Sequence, residues 1–100
     1  MFRITDKKGF HITFKNGYTV SVQFGPGNYC DNYRMMIGDD EEDAGKKGSS
    51  NAECAVWFGD GGLINHKYFD GDSVGGQMTP KQVLKLLNWA ARQKAKEQTP

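Results

Sequence analysis

The run Phe10-His11-Ile12-Thr13-Phe14-Lys15-Asn16-Gly17-Tyr18-Thr19-Val20-Ser21-Val22-Gln23-Phe24 decides the fold. Apolar residues recur at every second position on both sides of Asn16-Gly17, the pattern of two half-buried strands joined by a turn. Loop length sets their register. A two-residue loop would put Phe14 opposite Thr19 and send the apolar side chains to opposite faces. A three-residue loop, Lys15-Asn16-Gly17, pairs Phe14 with Tyr18, Ile12 with Val20 and Phe10 with Val22. A single buried face requires the second option, with Gly17 as the left-handed bulge residue.

Toward the N-terminus, Phe2 and Ile4 continue the alternation, and Lys7-Lys8-Gly9 reads as the same device. It sets Asp6 opposite Phe10, Ile4 opposite Ile12 and Phe2 opposite Phe14, with Gly9 left-handed. Residues 2–24 are therefore expected to form an antiparallel β-meander with one apolar face. His11, Thr13, Thr19, Ser21 and Gln23 lie on the other, polar face. Gly25-Pro26-Gly27 ends the meander, because proline removes a ladder donor and the glycines permit a change of direction.

Asn28 to Ile37 shows no clean period, and Tyr33 to Ile37 is a candidate short edge strand. The acid run Asp39-Asp40-Glu41-Glu42-Asp43 and the polar residues after it repel one another too strongly to join a core, so a mobile loop is expected at about 38–51. Ala52 to Phe58, Gly59-Asp60-Gly61-Gly62 and Leu63 to His66 read as a second hairpin, about 52–66. Asp70 to Gly76 reads as a glycine-rich connection.

A helix over about 80–97 is marked by its start: Thr79 as N-cap, Pro80 at the first helical position, Gln82 completing a capping box, and Met78 with Val83 as a hydrophobic staple. Val83, Leu84, Leu87, Ala90 and Ala91 share one face, and Arg92, Lys94 and Lys96 complement the negative end of the dipole. Leu86 and Trp89 widen the apolar arc and are the candidate interface residues for a subunit or partner. The expected class is α+β: the meander and second hairpin packed on one C-terminal amphipathic helix, in a single domain spanning 1–100.

A chain of 100 residues supports one core, and a core that small gains from association, so a homo-oligomer is expected. Two cysteines are too few for a disulfide scaffold, and no apolar run resembles a signal peptide or a membrane span. The expectation is a soluble cytoplasmic protein with no membrane partner. The net charge of +1 conceals a polarity, with residues 1–24 at +3, 25–60 at −5, 61–80 at −1 and 81–100 at +4. Near neutrality and an acidic block oppose counterion-driven binding of long nucleic acid.

Cys30 with His11 or His66 has the residue types of a thiol nucleophile and base, but nothing in the spacing brings them together. Cys30, Cys54, His11 and His66 lack the paired spacing of a zinc site. Asp70-Gly71-Asp72 departs from a calcium loop at Val74 and Lys81. No catalytic residue, metal or cofactor is therefore assigned. The glycine-rich turns offer backbone N–H groups, and several aromatic side chains could stack on a base with basic side chains meeting phosphate. The candidate ligand-binding residues are His11, Asn28, Tyr29, Tyr33, Arg34, Trp57, Lys67 and Tyr68.

The pattern Gly9-Phe10-His11-Ile12-Thr13-Phe14 with Asn16-Gly17, and the string Phe24-Gly25-Pro26-Gly27-Asn28-Tyr29-Cys30-Asp31-Asn32-Tyr33, resemble small accessory proteins of tailed bacteriophages over about the first third of the chain. The resemblance implies a counter-defence setting in a host cytoplasm. There such proteins, commonly oligomeric, sequester a nucleotide signal or occlude a host protein. The leading expectation is a non-enzymatic binder of a nucleotide-like molecule. The second is a protein inhibitor using the polar sheet face, the acidic loop or the Trp89 rim. The third is a small hydrolase using Cys30 or His11.

Overall fold

The computed structural model describes residues 1–6, 8–33 and 48–94. It is an α+β fold. The strands are β1 (Phe2–Thr5), β2 (Gly9–Thr13), β3 (Tyr18–Gln23), β4 (Ala52–Phe58) and β5 (Gly75–Met78), and an α-helix, α1, runs from Pro80 to Arg92. The strands form one antiparallel sheet in the order β1-β2-β3-β4-β5.

The β2–β3 register is the one the turn demands: Phe10 faces Val22, Ile12 faces Val20, and Phe14 N–H donates to Tyr18 O at 2.8 Å. Gly17 has φ +93°, and a Cβ there would lie 2.7 Å from the Phe58 ring. Asn16 does more than turn the chain. Its Nδ2 donates to the carbonyls of Ala90 (2.7 Å) and Gln93 (2.8 Å), and its Oδ1 accepts from Tyr18 N–H (3.0 Å). It thereby supplies a donor to the Gln93 carbonyl and a second one to the Ala90 carbonyl, which also accepts from Gln93 N–H (3.3 Å), at the helix end where carbonyls lose their intrahelical partners.

The β1–β2 register differs from the expected one by two residues. Ile4 faces Phe10 and Phe2 faces Ile12, the ladder closes at Thr5 opposite Gly9, and Asp6, just past it, carries the positive φ of 45°. Asp tolerates that conformation better than most residues. Gly9 is needed elsewhere, inside β2, where a Cβ would sit 2.0 Å from Val22 O. Face parity survives a two-residue shift, but burial does not follow it. Phe2 is 75% and Ile4 81% exposed, because α1 packs on β3, β4 and β5.

The second hairpin is also corrected. Gly61 N–H closes a turn on Phe58 O, and Ile64 N–H reaches Val56 O, but Leu63 to His66 does not form a strand. His66 redirects the chain: its carbonyl accepts from Phe69 and Gly71 N–H, and its Nδ1 caps a short 3₁₀ turn, Lys67–Phe69, through Tyr68 N–H at 3.0 Å. The partner of β4 is instead β5, from the segment read as a connection, with Ala52 opposite Met78 and Cys54 opposite Gly75 around a bulge. Two glycines hid this strand from a hydrophobic pattern. Gly75 is required there, since a Cβ would come 2.4 Å from the Phe69 ring.

The capping box of α1 forms as read, with Thr79 N–H donating to Gln82 Oε1 (2.8 Å) and Gln82 N–H to Thr79 Oγ1 (3.3 Å). The helix stops at Arg92, short of the expected 97, because Gln93 is extended. Leu86, Val20 and Val56 are fully buried at the centre of the core. Leu86 thus has no surface to offer a partner. Trp89 is half-buried, edge-on to His66 (4.3 Å) and Tyr18 (5.7 Å). The candidate edge strand beyond Tyr33 and most of the acidic loop lie outside the described residues.

Candidate functional site

Residues 25–33 form a compact knot against β4 and β5. Gly25 O accepts from Asn28 N–H, Asn28 Nδ2 and the buried thiol of Cys30. Asn32, also buried, donates from Nδ2 to Phe24 O at 2.8 Å. Asp31 clamps the knot to the start of β4: its N–H donates to Asn51 Oδ1 (2.8 Å), and its carboxylate accepts from Asn51 Nδ2, Ser50 N–H and Ser50 Oγ. The Ser50 and Asn51 hydrogen bonds hold that carboxyl below its usual range. Tyr29 is tied on both sides, its N–H to Glu53 Oε2 (2.9 Å) and its carbonyl to Gln77 N–H (2.8 Å).

This scaffold presents two phenol rings. Tyr29 and Tyr33 are 54% and 47% exposed and lie nearly parallel, 10° apart with centroids separated by 5.5 Å. Exposed aromatic rings on a backbone fixed by several hydrogen bonds form a surface part of whose entropy cost of ordering is met in the free protein.

The other candidates fall elsewhere. His11 and Trp57 meet edge-on at 5.0 Å on the sheet face that α1 does not cover. Beside them Thr13 and Thr19 share a hydrogen bond at 2.9 Å, and Thr5, Gln23 and Ser21 form a hydrogen-bonded chain. Glu53, which holds Tyr29, shares this face with Trp57, four residues along β4, or about 13 Å at about 3.3 Å per residue. Lys67 and Tyr68 lie on the opposite, helix side, where the Nζ atoms of Lys67 and Lys85 stand 5.6 and 5.0 Å from the Tyr68 ring centre. The fold therefore gathers Asn28, Tyr29 and Tyr33, sets His11 with Trp57 on the sheet face opposite α1, and separates both from Lys67 and Tyr68. Arg34 lies outside the described residues.

The thiols are both buried. Cys30 donates to Gly25 O, and burial, then Glu53, pushes the Cys54 thiol up to about 12. Neither geometry suits a nucleophile, which needs thiolate and access. Among the described residues no group of three His, Cys, Asp or Glu side chains could hold a metal ion. Also among them, no helix is long and apolar enough to cross a membrane.

His66 is committed to structure. Burial, then Lys67, lowers its pKa below the ordinary 6.5, and its Nδ1 must stay unprotonated to accept from Tyr68 N–H. A depressed folded pKa gives stability that is full above the unfolded value and is lost as pH falls from there through the folded pKa. Thermal melts should show Tm falling as pH drops below about 6.5. His66→Asn, which keeps an acceptor but does not titrate, should flatten part of that slope. An unchanged slope would show that His66 is not its source.

Sequence reading missed an apolar hollow of about 410 Å³ between α1 and the sheet, lined by Phe10, Val22, Phe24, Val83, Leu84 and Leu87 and rimmed by Ser49 to Asn51. The width of the helix's apolar arc was its signal, but that arc pointed equally to core. No family model matches the chain, nor does any curated protein or any solved structure.

Proposed function

We propose that this chain is a non-enzymatic binding protein that captures a planar, nucleotide-like small molecule on the Tyr29–Tyr33 platform. The parallel exposure of these rings on an anchored knot is the observation that carries the reading. Trp57 and His11 lie on the same side of the sheet as Glu53 and extend the aromatic surface for a longer ligand. In the accessory-phage setting implied by the first third of the sequence, a homo-oligomeric binder of this kind would withdraw a host signalling nucleotide.

The test is calorimetric titration, with native mass spectrometry, of adenine and guanine mononucleotides, dinucleotides and cyclic dinucleotides. Tyr29→Ala and Tyr33→Ala should each cost about 1–3 kcal/mol of binding, the range for one stacked base. Binding that survives both substitutions, or no binding by the panel, removes the reading. Recovery of a chemically altered nucleotide would favour the hydrolase instead.

A second reading, docking on another protein as an inhibitor, has its own observation. Leu84, which lines the apolar hollow, is 57% exposed, and Phe2 and Ile4, on the strand beside the lining residue Phe10, are 75% and 81% exposed.

A further inference from the structure

The free edge of β1 carries a recognition pattern that the platform does not use. Met1 and Thr13 exchange two hydrogen bonds, from the Met1 amine to Thr13 O (2.7 Å) and from Thr13 N–H to Met1 O (2.8 Å). Bonded and non-bonded pairs alternate along an antiparallel ladder. Phe2 and Ile4, opposite Ile12 and Phe10, therefore turn their N–H and C=O groups away from β2. β1 is the end of the sheet, so among the described residues no strand meets them. The same two residues expose their side chains on the helix side, where the Phe2 ring reaches toward Phe10 at 6.3 Å and so toward the apolar hollow.

Between them Arg3 projects to the other face, paired with His11. Its guanidinium has one hydrogen-bond partner among the described residues, Met1 Sδ at 3.9 Å, and no carboxylate. Its charge helps to hold the His11 pKa down, after burial. Among the described residues the edge is thus a row of backbone donors and acceptors that no strand pairs, apolar on one side and carrying a cation without a carboxylate on the other. Such a row is a template for strand addition.

We propose that β1 receives an extended segment of another protein, whose side chains alternate apolar-acidic-apolar, as a sixth strand of the sheet. The apolar side chains would lie beside Phe2 and Ile4, and the acidic one opposite Arg3. Charge selects this occupant over a second copy of the chain. A two-fold pairing in which Phe2 and Ile4 exchange hydrogen bonds sets Arg3 directly opposite Arg3 of the partner subunit, and like charges so placed destabilise a sheet. The inference deepens the reading of the chain as an inhibitor of another protein and rests on it for its biological sense.

The probe is a capped pentapeptide, Thr-Val-Glu-Val-Thr, titrated into the full chain and followed by amide NMR shifts and hydrogen exchange. Shifts should map to β1, and the Phe2 and Ile4 amides should become protected. Ile4→Pro removes one outward N–H and leaves the ladder to β2 intact, so it should weaken binding about tenfold with little change in melting temperature. The same peptide N-methylated at its two valines supplies the equivalent test without altering the protein. Arg3→Glu should reverse the preference toward Thr-Val-Lys-Val-Thr.

The proposal is overturned by no shift at the peptide's solubility limit, by equal binding of the N-methylated peptide, or by sedimentation showing a dimer with Phe2 and Ile4 already protected. If Leu84→Ser abolishes docking on an identified host protein while Ile4→Pro does not, the inhibitor reading stands and the edge assignment falls.

Discussion

Replacing Gly9 by alanine should destabilise the protein by about 3 kcal/mol or more, at the upper end of overpacking effects. The added Cβ would lie 2.0 Å from Val22 O, 2.8 Å from Gln23 Cα and 3.0 Å from Val22 C. All three are backbone atoms of the central ladder, and no rotamer change can relieve the overlap. Only separation of β2 from β3 can, and that sacrifices hydrogen bonds along with packing. For a domain of this size the loss corresponds to a fall in Tm of roughly 10 °C or more. Gly9→Asn discriminates between explanations. Were Gly9 a left-handed turn residue, asparagine would be tolerated there; with Gly9 inside β2, both variants should fail in thermal melts. A stable Gly9→Asn protein would return the turn to Lys7-Lys8-Gly9.

Leu86→Ala should cost about 2–5 kcal/mol, the range for a fully buried leucine that leaves a cavity. Leu86 is 0% exposed and sits among Val20, Val56 and Ala90 in the core. The urea midpoint should fall with an unchanged slope, since the same surface is exposed on unfolding. Leu84→Ser, at a site 57% exposed, should stay within about 0.5 kcal/mol of the parent. If Leu86 were an interface residue the pattern would invert: stability of the monomer would hold and only association would suffer.

These two residues show where sequence was readable and where it was not. The β2–β3 register followed from parity and one glycine, because a one-residue slip would have turned every apolar side chain outward. The β1–β2 register could not follow in the same way. A two-residue slip keeps the face, and the choice rests on a backbone clash at Gly9 that appears only once β3 is alongside. The start of α1 was legible because its capping bonds are local, within Thr79 to Gln82. Its end was not, since Gln93 lies against Asn16, 77 residues earlier in the chain.

The same limit applies to the candidate site. Exposed tyrosines in a glycine-rich segment suggested a ligand loop, and the knot gathered Asn28, Tyr29 and Tyr33. Its anchors, Glu53, Asn51 and Gln77, are distant in sequence and carry no motif. Lys67 and Tyr68 were grouped with Trp57 by residue type, but His66 turns the chain so that they emerge on the opposite side of the sheet.

Asn16 has one more consequence, for the chemical lifetime of the protein. Asn-Gly is the dipeptide most prone to deamidate, and asparagine is among the thermolabile residues. In the folded chain both amide hydrogens of Asn16 are engaged, with Ala90 O and Gln93 O, and its oxygen holds Tyr18 N–H. Conversion to aspartate would set a carboxylate against two carbonyls at the negative end of the helix dipole. The fold thus shields its most perishable amide with the bonds that the amide supplies. Each local opening of the turn risks a covalent change that keeps it from closing as before.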